Sequence, residues 1–135
     1  MDRRKLFRNV AILGAGLSIR GSVGSSPDPE ASARIRKAAA AGLAMERRDW
    51  EQGILAQAFL EAGDERNVIL LTRAAIVQRV PDGRLGVVIE GGPTDPAMGG
   101  VAYWRAGQIT GDEEIQKAAE GLLQWILKDA PRATD

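Results

Sequence analysis

From Asp28 onward, apolar positions recur at helical spacing and are cut at intervals by capping and breaking residues. Asp28-Pro29 reads as an N-cap followed by proline at the first helical position. Ile35, Ala38, Ala39, Gly42 and Leu43 then fall on one face. Asp49-Trp50-Glu51-Gln52 opens a second helix, with Asp49 as cap and Gln52 where a capping box wants Glu or Gln. Ile54 to Leu60 is apolar except for Gln57, a pattern that demands burial on most sides, and Gly63 is placed to end it. A third helix is expected from Asn67 to Val80, stopped by Pro81. Asp82-Gly83 signals a turn, and Leu85 to Ile89 has the composition of one short strand. Thr94-Asp95-Pro96 starts a fourth helix with Asp95 as N-cap, ending at Gly107. The fifth has a capping box from Thr110 to Glu113. Ile115, Ala118, Ala119, Leu122, Leu123 and Ile126 follow at i, i+3, i+4 and i+7 spacing, and Pro131 stops it.

The expected fold class is therefore all-α, stacked helical hairpins over residues 28–135, with one short β-like loop segment. The second and fourth helices are apolar over much of their circumference, whereas the first, third and fifth are more amphipathic. This predicts inner and outer layers. Five helices cannot enclose all of that surface, so an open apolar face is expected, covered by further sequence or by a partner.

Composition narrows the chemistry. The chain has 135 residues, 44% hydrophobic, with neither cysteine nor histidine. Disulfides, thiolate catalysis, histidine bases and His or Cys metal sites are excluded. Acid–base work must come from Asp, Glu, Lys or Tyr. Net charge is zero, but residues 1–20 carry +4 and the remainder −4. Basic charge confined to one end is not a nucleic-acid-binding stripe.

Residues 1–27 form a separate segment. Arg3-Arg4-Lys5-Leu6-Phe7-Arg8 precedes an apolar run from Val10 to Ile19, followed by a Gly- and Ser-rich stretch. These are the three parts of an export signal, and the paired arginines are similar to a twin-arginine signal. Read so, the protein is exported to the periplasm or outside the cell; a disordered tail is the alternative, leaving it cytoplasmic. The apolar run is too short to span a membrane. Val10 to Gly16 also looks like the start of a dinucleotide fingerprint. However, Ile19 occupies the position of its third glycine, and a helix is expected where its second strand belongs.

Several segments together resemble one family. They are Arg47-Arg48-Asp49-Trp50-Glu51-Gln52-Gly53, Asp82-Gly83-Arg84-Leu85-Gly86-Val87-Val88, Thr94-Asp95-Pro96-Ala97, Ile109-Thr110-Gly111-Asp112 and Ala130-Pro131-Arg132. In this order and spacing they resemble glycoside hydrolase families 88 and 105, the unsaturated glucuronyl and rhamnogalacturonyl hydrolases. The resemblance covers about residues 34–135. It implies helical hairpins belonging to an (α/α)6 toroid. It also implies a substrate, an oligosaccharide ending in an unsaturated uronic acid, and no metal or organic cofactor. In that family an Asp protonates the C4–C5 double bond of the sugar, water adds, and the hemiketal rearranges to release the product. The family's main acid/base Asp follows a Trp beyond the Pro-Arg segment, so the 135 residues are expected to stop before it and to be inactive alone.

Within this sequence, the resemblance and the residue chemistry single out four positions. Asp95 matches a second family Asp near the start of an inner helix, which makes it the catalytic candidate, touching substrate or assisting the acid at the barrel mouth; capping alone also accounts for an Asp there. Trp50 is a candidate for stacking on a sugar ring, or else a core tryptophan. Gln52 is a candidate sugar hydrogen-bonder, or a capping-box residue. Arg84 is a candidate partner for the uronate carboxylate, or a solvated loop residue. Tyr103 and Trp104, in mid-helix, are expected in the core. Glu113-Glu114 reads as an N-terminal charge cluster. The alternative to a hydrolase is a non-catalytic helical module that self-associates or binds a partner through its open apolar face.

Overall fold

The computed structural model describes residues 28–47, 49–86 and 94–132. Among them are six helices and no strand. These are α1 (Pro29–Met45), α2 (Trp50–Glu61), α3 (Glu65–Val77), α4 (Thr94–Ala97), α5 (Gly100–Thr110) and α6 (Glu113–Lys128). The expected strand at 85–89 is not there at Leu85 and Gly86, and its remainder lies outside the described residues. The export and dinucleotide readings of residues 1–27 also lie outside them. The chain divides into two units after Ala33, and the packing described below belongs to the second.

The core is two antiparallel hairpins. The α2–α3 hairpin turns through Ala62 to Asp64, and α5–α6 turns through Gly111-Asp112. Phe59 from α2, Val68 and Leu71 from α3, Tyr103 from α5, and Ile115, Leu122 and Trp125 from α6 are all buried, with Leu85 of the α3–α4 loop. Alanines 56, 75, 102, 106 and 118 at the same interfaces let the helix backbones approach closely. The helix α1 behaves differently. None of its residues is buried, and it meets α2 where Gly42 faces Leu55, with Ala39 and Leu43 half-covered.

Helix ends depart from expectation for identifiable reasons. In α3 the cap is Asp64, whose carboxylate accepts from the Asn67 N–H (3.1 Å) and side-chain amide (2.7 Å), so the helix starts two residues early. The fourth expected helix is broken in two at Met98-Gly99. Asp95 consequently lies inside the short α4, where its carboxylate accepts from the Thr94 hydroxyl, and does not cap a long helix. Gly107 does not stop α5. It is buried in mid-helix against Gln116 of α6, whose amide donates to the Gly107 carbonyl. The stop is Gly111, at φ 66°. The cap of α6 is Asp112, not Thr110: its carboxylate accepts from the Glu114 N–H at 2.8 Å and from Arg73 of α3 at 2.7 Å. Thr110 instead bonds its hydroxyl to the Ala106 carbonyl. Arg132 donates to the carbonyls of Ile126 and Leu127, closing the other end of α6.

Candidate functional site

The first turn of α2 holds a polar knot where α2, the α3–α4 loop and α5 meet. Asp49 precedes the helix with φ 57° and ψ −131°, a conformation costly for any residue with a β-carbon. Its N–H donates to the Gly86 carbonyl at 2.7 Å, and the Gly86 N–H donates to the Ala75 carbonyl at 3.0 Å. One loop residue thus ties the start of α2 to the end of α3. Gly86 has φ 69°, and a side chain there would press on Gln52 Oε1 and the Asp49 nitrogen, so glycine is required twice over.

This clasp explains why the expected capping box does not form. The Asp49 N–H that Gln52 would have bonded is already held by Gly86, and Asp49 itself makes no side-chain cap bond. Gln52 is instead buried, 1% exposed, with Oε1 lacking a hydrogen-bond partner. Glu46 contributes a second buried, unpartnered oxygen, Oε2. Asp49 is 6% exposed. The Tyr103 hydroxyl is held well above its ordinary pKa, first by burial and then by the negative charges of Glu46 and Asp49. Buried Asp49, Gln52 and Tyr103 thus lie near one another, with half-buried Glu46 close enough for its charge to reach the phenol. Such a concentration of costly polar groups in a small core marks a place where packing alone did not choose the residues.

Next to the knot, the break between α4 and α5 is a contact surface. A β-carbon on Gly53 would lie 2.5 Å from the Gly99 nitrogen, so α2 and the α4–α5 corner touch backbone to backbone. A side chain on Gly99 would overlap the Tyr103 ring.

The four sequence candidates separate into two places. Trp50 and Gln52 share the first turn of α2, with Trp50 facing outward at 49% exposure and Gln52 inward. Trp50 is thus not in the core. Asp95 is half-buried on α4, the short helix that abuts α2. Arg84 lies elsewhere. Its guanidinium pairs with Asp82 at 2.8 Å and stacks over the Trp125 ring at 5.3 Å, so it is a packed residue and not a solvated loop arginine. That pairing holds the Asp82 carboxyl below its usual value. Trp104 is 42% exposed, contrary to expectation, because neighbouring helical positions point about 100° apart and Tyr103 takes the inward one. Asp49, Glu46 and Tyr103 were not legible as a group. The sequence signal for Asp49 was a cap, and its unusual backbone has no signature in composition.

Two apolar grooves flank this region. One, of about 370 Å³, lies along α5 and α6 and is lined by Val101, Trp104, Leu123 and Ile126, with Arg105 at its edge. The other, of about 290 Å³, lies between α1 and α2 and is lined by Met45, Trp50, Ile54 and Leu55, with Glu46 and Glu51. Among the described residues, no group of three or more acidic side chains is placed to hold a metal ion, and no helix is long and apolar enough to cross a membrane.

The fold and site define an all-helical protein of packed hairpins with a polar knot between them. No protein-family model matches the chain, and no curated protein or solved structure is detectably similar to it.

Proposed function

We propose that these hairpins are part of an (α/α)6 toroid of the unsaturated-uronyl glycoside hydrolases, and that the first turn of α2 lies at the sugar-binding mouth. The observation that carries this reading is the first turn of α2 itself. A half-exposed Trp50 opens the helix turn that follows buried Asp49 and contains inward-facing Gln52, and the α4 segment of Asp95 packs against α2. An exposed aromatic side chain suits stacking on a sugar ring, and the groove that Trp50 lines also holds the polar side chains of Glu46 and Glu51. In this reading Asp95 is the catalytic candidate, touching substrate or assisting the acid, Trp50 stacks on the ring, and Gln52, turned inward and 1% exposed, supports the turn from within and does not contact sugar. Arg84, committed to Asp82 and Trp125, positions the loop. The chain is exported under the signal-peptide reading of residues 1–27. The test is titration of the full chain with an unsaturated-uronyl disaccharide, following tryptophan fluorescence and the ultraviolet absorbance of the sugar double bond. Saturable quenching that disappears in Trp50→Ala, without loss of the double bond, is the expected result. No binding at millimolar sugar, or quenching unchanged in Trp50→Ala, overturns it.

A second reading is favoured by the α5–α6 groove. Val101 is 64% exposed beside Trp104 and Leu123, an apolar surface of a kind that marks contact with another protein. In this reading the chain is a helical interaction module.

A further inference from the structure

We propose that one exposed face of the α5–α6 hairpin carries a binding site for a neutral sugar ring, built by Trp104 and Gln108 of α5 with Gln116 and Glu120 of α6. The site goes beyond the mouth proposed at Trp50 and stands whether or not that reading holds.

The first observation is placement. Trp104 and Gln108 are four residues apart on α5, and Gln116 and Glu120 are four apart on α6, so each pair shares a helix face. The hairpin brings the two faces together around a recess of about 210 Å³ that these four side chains line. That is below the ~300 Å³ at which pockets for drug-sized ligands begin, and it suits a single ring. The recess shares no residue with the α1–α2 groove beside Trp50. Trp104 also lines the apolar α5–α6 groove, so its indole divides an apolar surface from a polar one.

The second is the set of the polar groups. Gln116 donates from Nε2 to the Gly107 carbonyl across the hairpin at 3.2 Å, which leaves its Oε1 as an acceptor. Gly107 permits this: a β-carbon there would lie 3.1 Å from Gln116 Cγ. Gln108 is held from the opposite end. Its Oε1 accepts from Arg105 at 2.6 Å, which leaves its amide nitrogen to donate. The Glu120 carboxylate makes no ion pair or hydrogen bond among the described residues. The recess therefore offers an amide donor, an amide acceptor and a carboxylate, and both amides are already steadied by a bond. Groups held in place lose less freedom when a ligand arrives.

The third is the chemical match. A pyranose has a face of C–H groups and a rim of adjacent hydroxyls, each both donor and acceptor. The C–H face packs on the Trp104 indole, and the hydroxyls meet Gln108, Gln116 and Glu120. The bond to the carboxylate is the strongest of these, because its acceptor is charged. Glu120 also sets the charge of the ligand, since a uronate or phosphate would be repelled by it. A purely aliphatic ligand would strip water from three polar groups and return nothing to them.

The test is heteronuclear NMR of the full chain, titrated separately with the methyl glycosides of glucose, galactose and mannose. The signals followed are the indole N–H of Trp104 and the side-chain amides of Gln108 and Gln116. Saturable shifts in the millimolar range are expected with at least one glycoside, and they should be unchanged in Trp50→Ala. Glu120→Ala is expected to weaken binding by roughly tenfold, the loss of one charge-assisted hydrogen bond. Trp104→Ala is expected to abolish it at the Gln116 amide. Both positions are exposed, and circular dichroism checks that helix content is kept. Cyclohexanol, a ring of similar size with one hydroxyl, is the control and should give no saturable shift. Absence of a shift with all three glycosides overturns the proposal. Shifts matched by cyclohexanol, or undiminished in Glu120→Ala, also overturn it, because they report apolar adsorption in the neighbouring groove. Shifts confined to the Trp50 indole overturn this site and support the mouth on α2; shifts confined to Trp104, Gln108 and Gln116 support this site alone.

Discussion

Gly53 of α2 and Gly99 of the α4–α5 corner are packed so closely that a β-carbon on Gly53 would sit 2.5 Å from the Gly99 nitrogen and 2.8 Å from the Met98 carbonyl carbon. The obstacles are backbone atoms, which cannot rotate aside. Gly53→Ala must push the two helices apart and should cost about 1–3 kcal/mol. Gly121→Ala in α6 is the control, because nothing lies within 4 Å of its β-carbon position. It should stabilise by roughly 0.5–1 kcal/mol through helix propensity alone. Thermal melts of the two variants should therefore move in opposite directions.

Asp49 provides a test of backbone strain. At φ 57° a β-carbon is penalised and glycine is not. Asp49→Ala should be less stable than Asp49→Gly by about 1 kcal/mol, although alanine is the better helix former. Chemical denaturation of the pair measures the difference; an Ala variant at least as stable as the Gly variant would show that the positive φ carries no cost.

The chain's one tyrosine gives a clean alkaline titration. Tyr103 is raised in the folded protein, so above about pH 10 the unfolded chain loses this proton while the folded one keeps it. Stability from this group is complete below the unfolded value and falls as pH rises beyond it. Tyrosinate absorbance should appear together with loss of helix, not before it. Tyr103→Phe should flatten the alkaline decline.

Acid acts through Asp82 and Asp112. Both carboxyls are lowered, Asp82 first by its hydrogen bond from Arg84 and Asp112 first by the Glu114 N–H. Their contribution is present above the ordinary aspartate range, near about 3.9, and is lost as pH falls through the lowered folded values. Both groups lie near solvent, so the effect is modest and screened by salt. Denaturation midpoints between about pH 5 and pH 2 should decline less steeply in Arg84→Gln than in the wild type.

The helical class and most helix positions were legible because apolar spacing and caps are local signals. The run Ile115, Ala118, Ala119, Leu122 and Ile126 placed α6 almost to the residue. What failed depended on partners distant in sequence. Gly107 looks like a terminator until Gln116 is seen against it, and the Met98-Gly99 corner packs against Gly53 and the Tyr103 ring, neighbours that the local sequence does not announce. Gln52 reads as a capping residue because nothing local reveals that Gly86 has already taken the Asp49 N–H. The polar knot was hidden for the same reason: Glu46 and Asp49 are near in sequence, but Tyr103, which feels both charges, comes from another hairpin.

The two backbone bonds of Gly86 bear on how the molecule comes apart. They tether the first residue before α2 to the last turn of α3. The open end of that hairpin is thereby bridged, which opposes fraying from its free ends. Amide hydrogens at Asp49 and Gly86 should exchange with solvent only through opening of the whole hairpin, at rates matching core positions such as Leu71. By contrast, α1 has no buried residue, and its amides should exchange orders of magnitude faster. The protein would then open in a fixed order, with α1 lifting first while the α2–α3 pair stays closed.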